Sequence, residues 1–564
     1  MSIHNLEHLF RPKSIAVVGA SNRPHSVGAV VIRNLLQGGF NGPIMPVNPK
    51  HEAIAGVLAY ANVDALPTTP EMAVICTPPA TIPELIEKLG KRGTRAAIVI
   101  TAGLDDAKAE DGRSIKQVML ELAKSFRMRL LGPNCLGLLV PSIGLNASFS
   151  HVPALPGKIA FVSQSGALGT VVLDWARSRG IGFSLFASLG DASDVDFGDA
   201  LDYLSTDPST RAILLYIESI KNRRNFMSAA RAASRNKPVL VIKAGRVAEG
   251  AKAAASHTGA LAGMDNVFDA AIARAGMLRV YDFNELFAAV ETLAKSNPLK
   301  GERLVIMTNG GGPGVMGVDA LIENGGQLVE LSEETIEKLN GVLPKTWSHS
   351  NPVDIIGDAP GSRYADTLKI LLDAKEVDAV LVMHAPTAIA SSTDAAQAVL
   401  DVIKREKRAS QIPILTNWLG EDAVAEAREL FTEAHIPSFR TPEWSVRAFM
   451  HMVHYRKNQE MLMETPISAP SEFTPATATA RLIIESAIAN GRSVLTEPEA
   501  KAVFSAYGIP TVETHIAKTP QSAGQLARQM GFPVALKILS NDISHKSDVG
   551  GVALDLDTEQ AVSS

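Results

Sequence analysis

Gly157-Lys-Ile-Ala-Phe-Val-Ser163-Gln164-Ser165-Gly166 and Glu302-Arg-Leu-Val-Ile-Met-Thr308-Asn309-Gly310-Gly311 carry the decisive pattern of this chain. Each is a short apolar run that ends in a hydroxyl residue, a polar residue and a glycine-containing turn. An amphipathic stretch follows in both cases, which is the pattern of a buried parallel strand leading into a crossover helix. The similarity of the two openings suggests a loose internal repeat of one fold.

The same alternation extends in both directions. Upstream, Ser14-Ile-Ala-Val-Val-Gly19, Gly42-Pro-Ile-Met-Pro-Val-Asn48, Met72-Ala-Val-Ile-Cys76 and Ala97-Ile-Val-Ile100 give four strands of a doubly wound nucleotide-type domain over residues 1–145. The second unit, 146–298, adds Ala212-Ile-Leu-Leu-Tyr216 and Pro238-Val-Leu-Val-Ile-Lys243. The third, 299–464, adds Ala379-Val-Leu-Val-Met383 and Pro413-Ile-Leu-Thr416. Residues 465–478 hold three prolines among hydroxyl residues without apolar periodicity and read as a linker. Beyond them, 479–564 open a further domain with a helix from Ala480 and the strand Pro533-Val-Ala-Leu-Lys537, and we expect that domain to be incomplete. At about 150 residues per domain, 564 residues suggest three to five units.

Composition excludes several classes of function. With 54 basic and 59 acidic residues, net charge −5, there is no cationic excess for nucleic acid or an anionic membrane. Cys76 and Cys135 lack the spacing of a disulfide framework or a zinc site, so no resident metal is expected from them. The N-terminus has no signal-like segment and no run reaches eighteen apolar residues, which gives the expectation of a cytoplasmic protein.

Candidate chemistry sits in the turns. His257 lies in Ser256-His257-Thr258-Gly259-Ala260-Leu261-Ala262-Gly263, where small neighbours leave room for a phosphoryl group on a ring nitrogen. Taken alone, this histidine also fits an ordinary surface or packed residue. The Ser163-Gln164-Ser165-Gly166 turn and the turn around Asn309, Gly310 and Gly311 can each present N–H groups and a positive helix end to an anion. Glu218, at the end of the strand through Tyr216, can accept the second imidazole N–H and fix its tautomer. Gly19, Ala20 and Ser21, with Gly28 beyond, form a strand-to-helix phosphate turn. Lys50, where an acidic residue would contact a bare ribose, suits a phosphorylated adenosine. The strand-end loops containing Thr77 and Pro78, Thr101 and Gly103, and Asn134 and Cys135 lie at the carboxyl edge and together suit an extended nucleotide-derived thiol. A second histidine, His545, sits in Ser544-His545-Lys546-Ser547-Asp548-Val549-Gly550-Gly551, shortly after Lys537, which suits nucleotide phosphates.

In this order the motifs resemble the NDP-forming acyl-CoA synthetase superfamily. The most specific are the His257 loop, Gly132-Pro133-Asn134-Cys135, Ser163-Gln164-Ser165-Gly166, Ser350-Asn351-Pro352-Val353-Asp354 and the His545 segment. The resemblance implies a Rossmann-like CoA-binding domain, two flavodoxin-like succinyl-CoA-synthetase domains and part of an ATP-grasp domain. It also implies CoA or acyl-CoA and ATP/ADP with Mg²⁺ as ligands. His257 becomes the phosphohistidine, Glu218 its support, and His545 a second phosphohistidine relaying phosphate to the nucleotide. The implied reaction joins a small carboxylic acid and CoA at the expense of ATP, giving ADP and phosphate. A homo-oligomer, or a partner bringing the rest of the ATP-grasp lobe, is expected, because only thirteen residues follow Gly551. Within that superfamily the stretches 34–43, 229–238 and 449–458 give a closer resemblance, to the synthetase-like region of Pat-type bacterial protein lysine acetyltransferases. That likeness implies an alternative, a non-catalytic acyl-CoA-sensing region lacking its acetyltransferase domain.

Overall fold

The computed structural model describes the chain apart from residues 1–2, 251, 253–263, 466–472, 541–542 and 544–545. It divides into two compact units, Met1–Glu464 and Thr465–Ser564. Among the described residues no helix is long and apolar enough to cross a membrane.

The first unit contains three sheets whose parallel strands share one winding order. In the first, Ile44–Val47, Ile15–Val18, Met72–Ile75, Ala96–Val99 and Arg129–Leu131 lie side by side in that order. Numbered along the chain, this is 2-1-3-4-5. The same order runs through Gly182–Ser188, Leu155–Ser163, Ala212–Ile217, Val239–Lys243 and Leu278–Val280. It runs again through Gln327–Leu328, Arg303–Thr308, Ala379–His384, Ile414–Trp418 and Ser438–Phe439, where a sixth, two-residue strand, Val353–Asp354, also pairs with the end of Arg303–Thr308 and is left out of the numbering. The first domain therefore has the flavodoxin-type order of the other two, and the repeat seen in two turns extends to three domains. Central strands such as Ile15–Val18 and Met72–Ile75 are buried along their whole length, as expected for sheets covered by helices on both faces.

Two local features depart from the sequence reading. The hairpin Gly137–Val140 and Leu145–Ser148 pairs antiparallel with Gly182–Ser188, so it extends the second sheet and residue 145 falls inside a shared element. The helix that follows the first strand does not open at Gly19 but spans Val27–Gly38, capped by Ser26 on the Ala29 N–H. The intervening loop is held down by Asn22, which donates to Ala53 O and accepts from Ala55 N–H. Gly28 is needed at the helix start because a Cβ there would lie 2.0 Å from Gly19 O.

The 22-residue helix Pro442–Met463 ties the second and third domains together. Val446, Phe449, Met450 and Val453 pack into the third domain's core. Farther along, Asn458 and Gln459 donate to the carbonyls of Met277 and Gly276, each at 2.7 Å.

The second unit contains helices Thr477–Ala489, Glu497–Ala506 and Pro520–Met530. An antiparallel pair, Val534–Lys537 with Val552–Leu556, and a final turn Glu559–Ser563 complete it. Its small core gathers Ala523, Ala527 and Val562.

Candidate active site

In a 2-1-3-4-5 sheet the crevice for a ligand opens between strands 1 and 3, where connections diverge to opposite faces. Gly19–Ser21 with Thr77 and Pro78, Ser163–Gly166 with Glu218, and Asn309–Gly311 fall at or beside that point, whereas Lys50, Thr101, Gly103, Asn134 and Cys135 follow strands 2, 4 and 5 of the first sheet along the same carboxyl edge. In the first domain, Gly19 takes φ +87° against the Cys76–Thr77 backbone, and a Cβ would lie 2.9 Å from Thr77 Cγ2. Ala20 is buried, and its carbonyl accepts from Asn48 Nδ2 at 2.7 Å. Ser21 Oγ accepts from Arg23 N–H, and Asn48 Oδ1 takes the Lys50 N–H, leaving the Lys50 side chain exposed. The Thr101 hydroxyl donates to Thr77 O at 2.6 Å, and the Thr81 hydroxyl to the Thr77 hydroxyl. Pro78 opens the turn before helix Ile82–Arg92. Gly103, at φ +77°, faces open space. These residues share one sheet edge.

Cys135 differs from its neighbours. Its thiol is buried on the Val99 carbonyl, and burial pushes it up to about 12, so only backbone at this residue faces outward chemistry. Cys76 is raised to about 12 for the same reason. Asn134, at φ 58°, donates to Asp191 Oδ1 at 3.3 Å, and Asp191 N–H donates to Pro133 O at 2.9 Å. The Gly132–Asn134 loop of the first domain is thereby fastened to the Leu189–Asp196 loop of the second.

The second and third domains build the same ring from different residues. Ser163 Oγ donates to Ser165 O at 2.9 Å and accepts from Ser165 N–H at 3.1 Å. Thr308 Oγ1 donates to Gly310 O at 3.0 Å and accepts from Gly310 N–H at 3.1 Å. From these rings start helices Gly166–Ser178 and Gly311–Glu323, each without an acidic residue in its first turn. Ser165 caps the first helix on Leu168 N–H, whereas Gly310 offers no side-chain cap to the second. Both ends can meet an anion with backbone N–H groups and a positive dipole. Beside the second lies Asp354, whose Oδ2 would be 3.2 Å from a Cβ on Gly311.

Gln164, whose side chain has no role in the sequence reading of the turn, organises the first of these ends. Its Oε1 accepts from the backbone N–H groups of Glu218 (2.6 Å) and Ser219 (2.8 Å), and its Nε2 donates to the Ser219 hydroxyl. One side chain thus couples the Ser163–Gly166 turn to the strand end bearing Glu218. Asn309 repeats the device, exchanging both amide bonds with the Ala385 backbone. The equivalence of Gln164 and Asn309 in the two opening segments was the available signal. Half-buried Glu218 stands beside the strand ending at Lys243, in the register Ile217 with Lys243. Burial lowers the Lys243 pKa, against the charges of Asp265 and Glu218, and burial raises the Tyr216 phenol to about 12, with Glu218 contributing. His257 and its loop lie outside the described residues. In sequence they fall between strand Val239–Lys243 and helix Asp265–Arg274.

In the second unit Lys537, Lys546 and Lys501 converge on Glu497, at 3.1, 2.7 and 3.1 Å, and hold its carboxyl down at about 2. His545 lies outside the described residues. No cluster of three metal-ligating side chains occurs among the described residues, so no residue here is given to Mg²⁺ and no step is derived through it.

Three like-wound domains, the first two joined at their ligand-edge loops and the second and third through a shared helix, with anion-receiving helix ends in two of them, define a CoA-ligase type of protein. Family models match accordingly: a CoA binding domain over 13–141, a succinyl-CoA ligase like flavodoxin domain over 156–293, a Ligase-CoA domain over 304–458 and an ATP-grasp domain over 486–564. The acetate–CoA ligase [ADP-forming] I of Archaeoglobus fulgidus is 38% identical over 98% of this chain and 78% of its own. The alpha subunit of acetate–CoA ligase [ADP-forming] I of Pyrococcus furiosus is 37% identical over 80% of this chain and 98% of its own. Among solved structures, the dinucleotide forming acetyl-coenzyme A synthetase 1 of Ca. Korarchaeum cryptofilum, in complex with phosphate and ADP, matches with a TM-score of 0.74. It is 35% identical, over 82% of this chain and 99% of that one. The chain belongs to the ADP-forming acyl-CoA synthetases, the acid–CoA ligases that form ADP.

Proposed function

We propose that the first unit carries the acyl-CoA side of the ligase reaction and the second unit part of its nucleotide side. In the direction of ATP formation, a phosphate oxygen attacks the thioester carbonyl of an acyl-CoA. The C–S bond breaks, CoA leaves as a thiolate that takes up a proton, and an acyl phosphate remains. The His257 ring nitrogen then attacks phosphorus, the P–O bond to the acyl group breaks, and the carboxylate is released. Glu218 accepts the other ring N–H and stabilises the positive imidazole as phosphorus is transferred. The helix ends at Gly166 and Gly311 hold the phosphoryl oxygens. Gly19, Thr77, Thr101 and Asn134 line the CoA edge, with Lys50 toward the adenosine phosphate. His545, next in sequence to Lys546, passes the group to ADP.

The observation that carries this reading is the Gln164 bridge, which fixes Glu218 against the anion-receiving turn. In P. furiosus a counterpart of the first unit is a subunit of its own, which supports the division of labour and a partner on the nucleotide side. Acid–CoA ligases as relatives favour catalysis over an acyl-CoA-sensing module of the Pat type. The test is release of free CoA from acetyl-CoA by the full chain. We expect about one equivalent per chain, strictly dependent on phosphate. Tight acetyl-CoA binding with no phosphate-dependent thiol release supports the sensing module instead.

A further inference from the structure

The proposed transfer uses Glu218 as a carboxylate, yet Glu218 is half-buried, and burial opposes that charge. Lys243, at the end of the neighbouring strand, is the cation placed to offset this. The pair Ile217–Lys243 closes the register between the two strands, and Ala244 N–H carries it one step farther by donating to Ile217 O at 2.9 Å. Ala244 is thereby level with the strand end that bears Glu218. Lys243 is 6% exposed, and its ammonium turns to this edge, donating to Ala244 O and standing 5.6 Å from the centre of the Phe268 ring. One carbonyl oxygen satisfies one of three donors and does not neutralise a buried charge. The neighbouring charges sort into pairs. Arg279 Nη2 donates to both oxygens of Asp265, at 2.7 and 2.8 Å, and Arg279 also meets Asp269 at 3.4 Å. Arg246 is exposed over the Tyr281 ring, and the Lys221 ammonium turns away to Asp191 O at 2.6 Å. Tyr216, on the strand of Glu218, is a neutral phenol held up by burial. With Asp265 engaged by Arg279, Glu218 is the carboxylate that Lys243 serves. Burial works against the ammonium while Asp265 and Glu218 favour it, and the coupling is mutual, so the ammonium favours the Glu218 carboxylate equally.

We propose that Lys243 is a positioning residue for phosphoryl transfer, its buried ammonium holding Glu218 as the carboxylate that accepts the imidazole N–H. The inference rests on the synthetase reading above. The role is electrostatic, so it shows in the pH dependence of transfer and not only in its rate. Without the ammonium, Glu218 takes up a proton at a pH higher by about one unit or more. Protonated, it no longer carries the charge that stabilises the positive imidazole.

The test uses the full chain with acetyl-CoA and labelled phosphate between about pH 5.5 and 8.5, reading initial rates of phosphate-dependent CoA release and of protein phosphorylation. In Lys243→Met and Lys243→Gln the acid limb of both rates moves up by about one pH unit or more, a loss of about tenfold on the wild-type limb that is regained toward pH 8.5. Lys243→Gln keeps a donor for Ala244 O and covers the case of a Lys243→Met chain that fails to fold. Lys243→Arg restores the charge and returns the limb toward its wild-type position. Phosphorylation with the wild-type pH profile in the neutral variants, or a loss of equal size at every pH, overturns the role given to Lys243 alone. Absence of CoA release and phosphorylation in wild type at every pH, with acetyl-, propionyl-, butyryl- and hexanoyl-CoA alike, overturns the synthetase reading, and the role of Lys243 with it.

Discussion

Replacing Gln164 by alanine removes one acceptor serving two backbone donors, the N–H groups of Glu218 and Ser219 at 2.6 and 2.8 Å. Gln164 is only 8% exposed, so water does not simply take its place. An orphaned buried donor costs about 1–3 kcal/mol. Glu218 and Ser219 are themselves half-buried, which argues for the lower bound at each, about 2 kcal/mol together. Local opening of the strand end then becomes easier by that amount. Amide exchange for a peptide covering 212–222 should accelerate about thirtyfold, since 1.4 kcal/mol is a factor of ten. Gln164→Glu is the informative companion, because its carboxylate still accepts both N–H groups but adds negative charge beside the turn assigned to phosphate. Exchange should stay near wild type in Gln164→Glu while phosphorylation falls. Hydrogen-exchange mass spectrometry decides between these outcomes. Exchange in Gln164→Ala within threefold of wild type would refute the bridge as the element that positions Glu218.

Other outcomes follow from buried and clustered charges. His384 is fully buried between Tyr364 and Ser392, and burial depresses its pKa to about 4. The unfolded chain binds the extra proton between about pH 6.5 and 4, so stability present above 6.5 is lost as pH falls, by about 3 kcal/mol at most. Denaturation at pH 7 and 4.5 should show a smaller difference for His384→Asn than for wild type. Glu497, held at about 2 chiefly by Lys546 and then Lys537, contributes stability above its unfolded pKa near 4.5 that disappears as pH falls toward 2. Glu497→Gln should flatten the pH 5 to pH 3 change in melting of the second unit. Burial raises both thiols to about 12, so iodoacetamide at pH 8 should leave Cys76 and Cys135 unmodified in the native chain and label both in guanidinium, as mass spectrometry would count.

Legibility in the sequence followed the locality of each signal. The runs Ile-Ala-Val-Val, Met-Ala-Val-Ile and Arg-Leu-Val-Ile-Met-Thr announce buried strands by themselves, because burial on both faces demands continuous apolar sequence. Strand order is not local, so the common 2-1-3-4-5 winding emerged only from pairing. The hairpin around Gly137–Ser148 carries the same apolar character wherever it pairs, and nothing in its residues says that it joins the second sheet. Gly19 and Gly28 suggested one tight turn, but their need for glycine comes from close backbone approach across a loop. Gln164 stood in the open between two serines, and its role depends on Glu218 and Ser219, more than fifty residues away. Cys135 looked like a ligand-edge residue because its loop is one, while its side chain turns into the core.

The central claim is that phosphate moves from acyl-CoA to His257. The full chain is incubated with acetyl-CoA and labelled phosphate, digested under alkaline conditions and mapped for base-stable, acid-labile label. The account predicts label on the peptide containing His257 in wild type and in His545→Ala, and none in His257→Ala. Label that persists undiminished in His257→Ala, or its complete absence from wild type across the acyl-CoA series, would contradict it.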